Sequence, residues 1–214
     1  MKNFETTRNV LIAVDMQNDF ITGSLAVHEA EQTVTPINQL AERVRTSLGR
    51  VAFTRDWHPV ITPHFTEYGG LWPVHCVAET DGAAFHPDLA IKDEDIIISK
   101  GMGQTDGYSG MEGVAEDGTT IESLLLPTSR RERVRGFLGG LATDFCDKAT
   151  AIDAARRFDT YDNVEIYAIP EAMRAVNLQP DDGTKAIAEM AEAGVKIITL
   201  EQAFALIDQE RIES

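Results

Sequence analysis

The chain has 214 residues, 43% hydrophobic and 25% charged, enough to bury one core and too much for a disulfide-stapled mini-protein. Lys and Arg number 19 against 35 Asp and Glu, a formal net charge of −16 at pH 7, so phosphate backbones and anionic lipid surfaces are repelled and neither nucleic acid nor membrane is expected as a partner. Only two cysteines occur, the first residues lack the pattern of a secretory signal, and no run approaches the ~18 apolar residues of a spanning helix, which together point to a cytoplasmic protein with free thiols.

Taken in chain order, short β-branched runs alternate with helix-period stretches. A strand is predicted at Asn9 to Val14, a helix at Thr35 to Leu48, and strands at Arg50 to Thr54 and Asp95 to Ser99. A helix at Thr120 to Leu126 and a strand at Val134 to Leu138 follow, then a helix at Asp144 to Phe158 and a strand at Asn163 to Ala168. The pattern ends with a helix at Asp182 to Ala193, a strand at Val195 to Thr199 and a helix at Gln202 to Asp208. The strands are nearly continuous in apolar residues, as strands covered on both faces are, so the expectation is a three-layer α/β/α fold with a six-stranded parallel sheet. No repeat or linker divides the chain, and residues 1–214 read as one domain. The exception to the alternation is the stretch at about 56–93, rich in Pro, Gly, His and aromatics and too long for an ordinary connection.

Open parallel sheets bind ligands beyond the carboxyl ends of their strands, so the residues there carry the functional reading. They are Asp15, then Arg55-Asp56-Trp57-His58, then Lys100, then Gly139-Gly140-Leu141-Ala142-Thr143-Asp144-Phe145-Cys146. Cys146 is the candidate nucleophile: with Thr143 as N-cap it falls at the third helical position, where dipole and free N–H groups favour a thiolate. A lone cysteine is more often a buried small residue, and the glycine pair reads equally as an oxyanion-binding turn or a tight βα connection. Asp15 is suited to carry protons for the thiol, whereas either Asp15 or the nearby Asp19 also reads as a cap. Lys100 would favour the thiolate, although most lone lysines are solvated. Asp56, His58, His64 and His75 offer one carboxylate and three imidazoles, a donor set for one divalent ion, Zn²⁺ ahead of Fe²⁺ or Mn²⁺. His28 and His86 lack such partners, and Cys76 reads as a packed thiol. Phe20 and Trp72 are candidates to wall a pocket for a flat ring, although aromatics are commonly core. Neither a dinucleotide fingerprint nor a phosphate loop follows the first strand.

Together, IAVDMQNDF, TRDWHP with His64 after it, GGLWPVHCVAETDGAAFHPDL, KGMGQTDGYSGMEG and GLATDFCDKAT resemble the nicotinamidase branch of the isochorismatase-like cysteine hydrolases over roughly residues 9 to 200. The resemblance implies that Asp15, Lys100 and Cys146 form a catalytic set and that Asp56, His58 and His75 bind a divalent metal, with His64 a frequent further ligand. It implies a cis peptide between Leu141 and Ala142, with the Ala142 and Cys146 N–H groups facing an oxyanion. The implied reaction converts nicotinamide, or pyrazinamide, to the acid and ammonia through a thioester; a homo-oligomer is compatible with it. Two positions depart from the pattern: Asp147 stands where an apolar residue is usual, and Glu79 where glycine is common. Asp147 facing inward would raise the thiol pKa. The rival readings are a hydrolase of another small amide or carbamoyl compound, and a catalytically silent binding protein.

Overall fold

The computed structural model describes residues 4–209. Its first strand, β1 (Thr6–Val14), is fully buried from Val10 to Val14, so alternate side chains supply two separate cores. Leu11 and Ala13 face one, Val10, Ile12 and Val14 the other. Both cores need helical cover, because a parallel sheet with two apolar faces is stable only when both are shielded.

The remaining strands are β2 (Arg50–Asp56), β3 (Ile96–Lys100), β4 (Glu132–Leu141), β5 (Val164–Arg174) and β6 (Lys196–Ile197). Among the described residues they form a six-stranded, all-parallel sheet in the order β3-β2-β1-β4-β5-β6. The short α1 (Asn18–Ile21) follows β1 and is followed by α2 (Val34–Thr46). Next come α3 (Ile121–Leu125), α4 (Lys148–Arg157), α5 (Asp182–Glu192) and α6 (Leu200–Asp208). Helices α2 and α6 cover the Leu11 face through Ile37, Leu40, Val44, Ala203 and Ile207. The Val10 face is covered by α3, α4 and α5 through Leu124, Ala151, Ala154 and Met190. The three-layer expectation is met. The order of strands reverses between β1 and β4, and a crevice opens there beyond their carboxyl ends.

Several boundaries differ from the sequence reading. Asp56 and Lys100, expected just past their strands, are the last residues of β2 and β3 and stand opposite each other in register. The ladder bonds only backbone, so it continues through charged residues whose side chains find partners. β4 runs through the glycine pair to Leu141: a Cβ on Gly140 (φ +142) would lie 2.1 Å from the Val14 carbonyl oxygen, so the glycine serves close approach to β1 within the strand. The helix expected from Asp144 begins as a wide π turn, Thr143–Asp147, closed by Asp147 N–H to Ala142 O at 3.1 Å. Ala142, not Thr143, precedes that turn, and no side chain caps it. β6 is shorter than the expected Val195 to Thr199, with only Lys196 and Ile197 in the ladder against β5.

Candidate active site

Four side chains from the strand ends and the π turn meet in the crevice. The Lys100 Nζ lies 2.8 Å from Asp15 Oδ2, 2.6 Å from Asp56 Oδ1 and 3.4 Å from Cys146 Sγ, and it also donates to the Gly107 carbonyl at 3.1 Å. The Asp15 Oδ1 accepts a 2.6 Å hydrogen bond from Thr54 Oγ1. All four side chains are buried. Burial opposes the charge on Lys100, but Asp15 and Asp56 outweigh it and hold the ammonium well above its usual pKa. Burial also raises Asp56, yet Lys100, hydrogen-bonded to it, keeps it below the ordinary carboxylate range. Asp15 moves the other way, raised by burial and by the charge of Asp56 despite Lys100. The group with the raised proton affinity is thus Asp15, which shares Lys100 with the Cys146 sulfur and has a carboxyl oxygen within 4.8 Å of it.

Burial works against the thiolate expected from the helix start. Burial pushes the Cys146 thiol well above its ordinary pKa; Lys100 opposes this, and Asp15 and Asp56 add to it. Asp147 is wholly buried, neither carboxyl oxygen has a hydrogen-bond partner, and burial with Asp15 and Asp144 raises its pKa well above normal. Burial thus disfavours a charge on Asp147 beside the nucleophile.

Beside this group lie His58, His64 and His75, all buried, with one ring nitrogen from each within 4.8 Å of the others. The three Nδ1 atoms are already committed: to Gly101 O at 2.9 Å, to a carboxylate oxygen of Asp106 at 2.7 Å and to Pro73 O at 2.7 Å, respectively. Those partners only accept, so each Nδ1 carries a hydrogen and each Nε2 is the nitrogen left to face another partner. His58 Nε2 is buried without a hydrogen-bond partner and lies 3.6 Å from Asp56 Oδ2. Burial pushes His75 down to about 4 and lowers His64, keeping both neutral at pH 7. Three imidazoles, each with Nε2 left over for another partner, and one carboxylate fit a divalent cation. Among the described residues His28, His86 and Cys76 stay outside this cluster.

Phe20 and Trp72 both line a narrow cleft above Cys146, next to His64 and His75. The sequence reading missed two further walls, Tyr108 and Phe145. Trp72 Nε1 donates to Tyr108 Oη at 2.9 Å, and the Trp72 and Phe145 rings meet edge-on at 4.8 Å. Phe145 directly precedes the candidate nucleophile, a signal that was available; nothing local marked Tyr108. Asp19, left open as a cap, accepts from Cys76 N–H at 2.7 Å and ties the loop after His75 to α1. Gln17, also missed, grips Asp56 by both backbone groups: Nε2 donates to its carbonyl at 2.8 Å and Oε1 accepts its N–H at 2.7 Å. The peptide between Leu141 and Ala142 is cis. A wider hollow of about 790 Å³, bordered by Arg130 and Tyr161, lies at the amino ends of β4 and β5, away from this chemistry.

The isochorismatase domain model matches residues 9–202. A nicotinamidase of Escherichia coli is 32% identical over 208 residues, covering 89% of this chain and 94% of the relative. Among solved structures, the pyrazinamidase of Pyrococcus horikoshii in complex with zinc has a TM-score of 0.75 at 32% identity, covering 90% of this chain and 99% of that one. A protein of L. infantum in complex with nicotinate also has a TM-score of 0.75 at 32% identity, covering 94% and 97%. On the extent of the domain match and the relatives it shares, the chain belongs to the isochorismatase domain family.

Proposed function

We propose that the protein is an amidohydrolase that converts nicotinamide to nicotinate and ammonia, with pyrazinamide as a second substrate. The observation that carries the reading is the Lys100 ammonium set between Asp15 and the Cys146 sulfur, with Cys146 lining an aromatic cleft beside three clustered imidazoles. The nicotinamidase relatives support the choice of amide.

In this reading Asp15 removes the Cys146 proton as the sulfur attacks the amide carbon, and the Ala142 and Cys146 N–H groups stabilise the developing oxyanion. As the C–N bond breaks, Asp15 returns the proton to the departing nitrogen, which leaves as ammonia. Water then attacks the thioester carbon, Asp15 takes one of its protons, and the C–S bond breaks to give nicotinic acid, which loses its remaining acidic proton to solvent as nicotinate. The proton goes back to sulfur. Lys100 stays charged throughout, favouring the transient thiolate. Phe20, Trp72, Tyr108 and Phe145 hold the ring flat and keep water out until ammonia departs. Asp56, His58, His64 and His75 would hold one divalent ion, zinc ahead of iron or manganese, which when bound supplies a Lewis-acidic anchor for the pyridine nitrogen, directly or through water.

The test is ammonia release from nicotinamide by purified protein, with metal content measured on the same sample. Expected are turnover of nicotinamide, poor turnover of benzamide, which lacks the ring nitrogen, and none in Cys146→Ala. An active Cys146→Ala variant, or equal rates for the two amides, overturns the assignment.

A further inference from the structure

The loop after β3, residues 101–109, meets the site four times. The Gly101 carbonyl holds His58, Asp106 holds His64, the Gly107 carbonyl holds Lys100 and the Tyr108 hydroxyl holds Trp72. Its two turns require glycine. Gly101 (φ +65) would put a Cβ 2.6 Å from His58 Cε1, and Gly107 (φ +63) would put one 2.7 Å from Gly101 Cα. Three of the four contacts use neutral groups. Asp106 alone brings a charge to an imidazole Nδ1, from a side chain that is 58% exposed while its histidine is buried.

A carboxylate that accepts from Nδ1–H fixes the ring's tautomer and orientation and increases electron density at the opposite nitrogen. At 2.7 Å this is a strong, charge-assisted contact. Asp56, the other acid at the centre, already shares its charge with Lys100 through Oδ1. Asp106 is therefore a negative charge not shared with Lys100, one hydrogen bond behind His64.

We propose that Asp106 is a positioning residue for the three-histidine centre, and that its carboxylate sets how tightly the protein retains a divalent cation. This rests on reading the cluster as a metal centre. The ion's coordination stays with the histidines and Asp56; Asp106 acts through His64.

The experiment titrates chelator-stripped, full-length protein with Zn²⁺ against a chromophoric chelator, and with Co²⁺ followed by its visible absorption. Asp106→Ala is expected to weaken binding about 10- to 100-fold, the usual range for loss of such a partner. Asp106→Asn, which still accepts a hydrogen bond but carries no charge, falls between Asp106→Ala and wild type. Gln104→Ala cuts the same loop's tie to the Ile61 carbonyl, a 3.3 Å contact, and is expected to leave affinity unchanged. The iodoacetamide rate of Cys146 in stripped protein should match wild type in all three variants, since the hold on Lys100 is separate. Wild-type affinity in Asp106→Ala overturns the proposal. So does an equal loss in Gln104→Ala, or a changed Cys146 rate, either of which assigns the effect to general loosening of the loop. Wild-type protein that takes up neither ion overturns the metal-centre reading as well, so the two failures are distinguishable.

Discussion

Lys100 governs the electrostatics of the site because two buried carboxylates and a thiol share it. Lys100→Ala leaves Asp15 and Asp56 without their cation, and breaking a buried pair in this way costs about 3–5 kcal/mol. The urea midpoint should fall accordingly. The ammonium also favours the thiolate, so its loss should move iodoacetamide modification of Cys146 to higher pH; an unchanged profile would remove the Lys100–Cys146 contact from the mechanism. Asp147 carries a linkage of opposite consequence. Its folded pKa is raised by burial, Asp15 and Asp144, with Lys100 the one facing group that lowers it. Its contribution to stability is fully present below the unfolded carboxyl pKa and is lost as pH rises through the folded one. Asp147→Asn keeps the shape without titrating, so it should stabilise the protein more at pH 8 than at pH 5. Equal urea midpoints for the two forms at pH 8 would mean that the carboxyl is solvated or paired.

At the scale of elements, β4 is the strand on which the site depends. It pairs with β1 over nine registered positions and shifts register against β5 between Leu138 and Gly140. Gly140→Ala would drive a methyl group into the Val14 carbonyl from a positive φ that alanine resists. Loss of soluble folded protein, read by circular dichroism, is expected there, whereas Gly118→Ala, at a positive φ with open space around it, should fold with a smaller penalty. The element ends show how far local signals reach. Thr199 and Gln202 form a reciprocal cap that starts α6 at Leu200, two residues before the apolar pattern suggests, and the T-x-x-Q spacing was legible. The π turn that presents Cys146 was not. Its fifth-residue bond satisfies Ala142 O, a requirement set by where β4 ends rather than by residues 143–147.

The whole molecule carries −16, and that excess acts against compaction from the surface. Raising sodium chloride from low ionic strength to 0.15 M shortens the Debye length to about 8 Å and should raise Tm, because exposed ion pairs such as Arg131–Glu5 are worth little and their screening costs less than the repulsion relieved. The buried Lys100 group should be insensitive to the same salt, so the Cys146 alkylation profile should not move. A Tm that falls with salt would show the surface pairs to be net stabilising. Among the described residues no helix is long and apolar enough to cross a membrane.

Sequence alone determined the layered parallel fold and the rim to which its chemistry belongs. The apolar runs of β1, β2 and β4 can be satisfied only by cover on both faces, and the polar residues ending each run must then gather at one edge of the sheet. Asp15, Asp56, Lys100, Cys146 and the three histidines were legible for that reason, each being a costly residue type next to a buried strand or within one irregular loop. Tertiary structure alone decided their states. Burial raises the Cys146 thiol and the Asp147 carboxyl, and the Nδ1 partners of the histidines come from 2, 42 and 43 residues away. Proton affinity and tautomer depend on which groups face each other across the crevice after water has left, and no spacing along the chain encodes that distance.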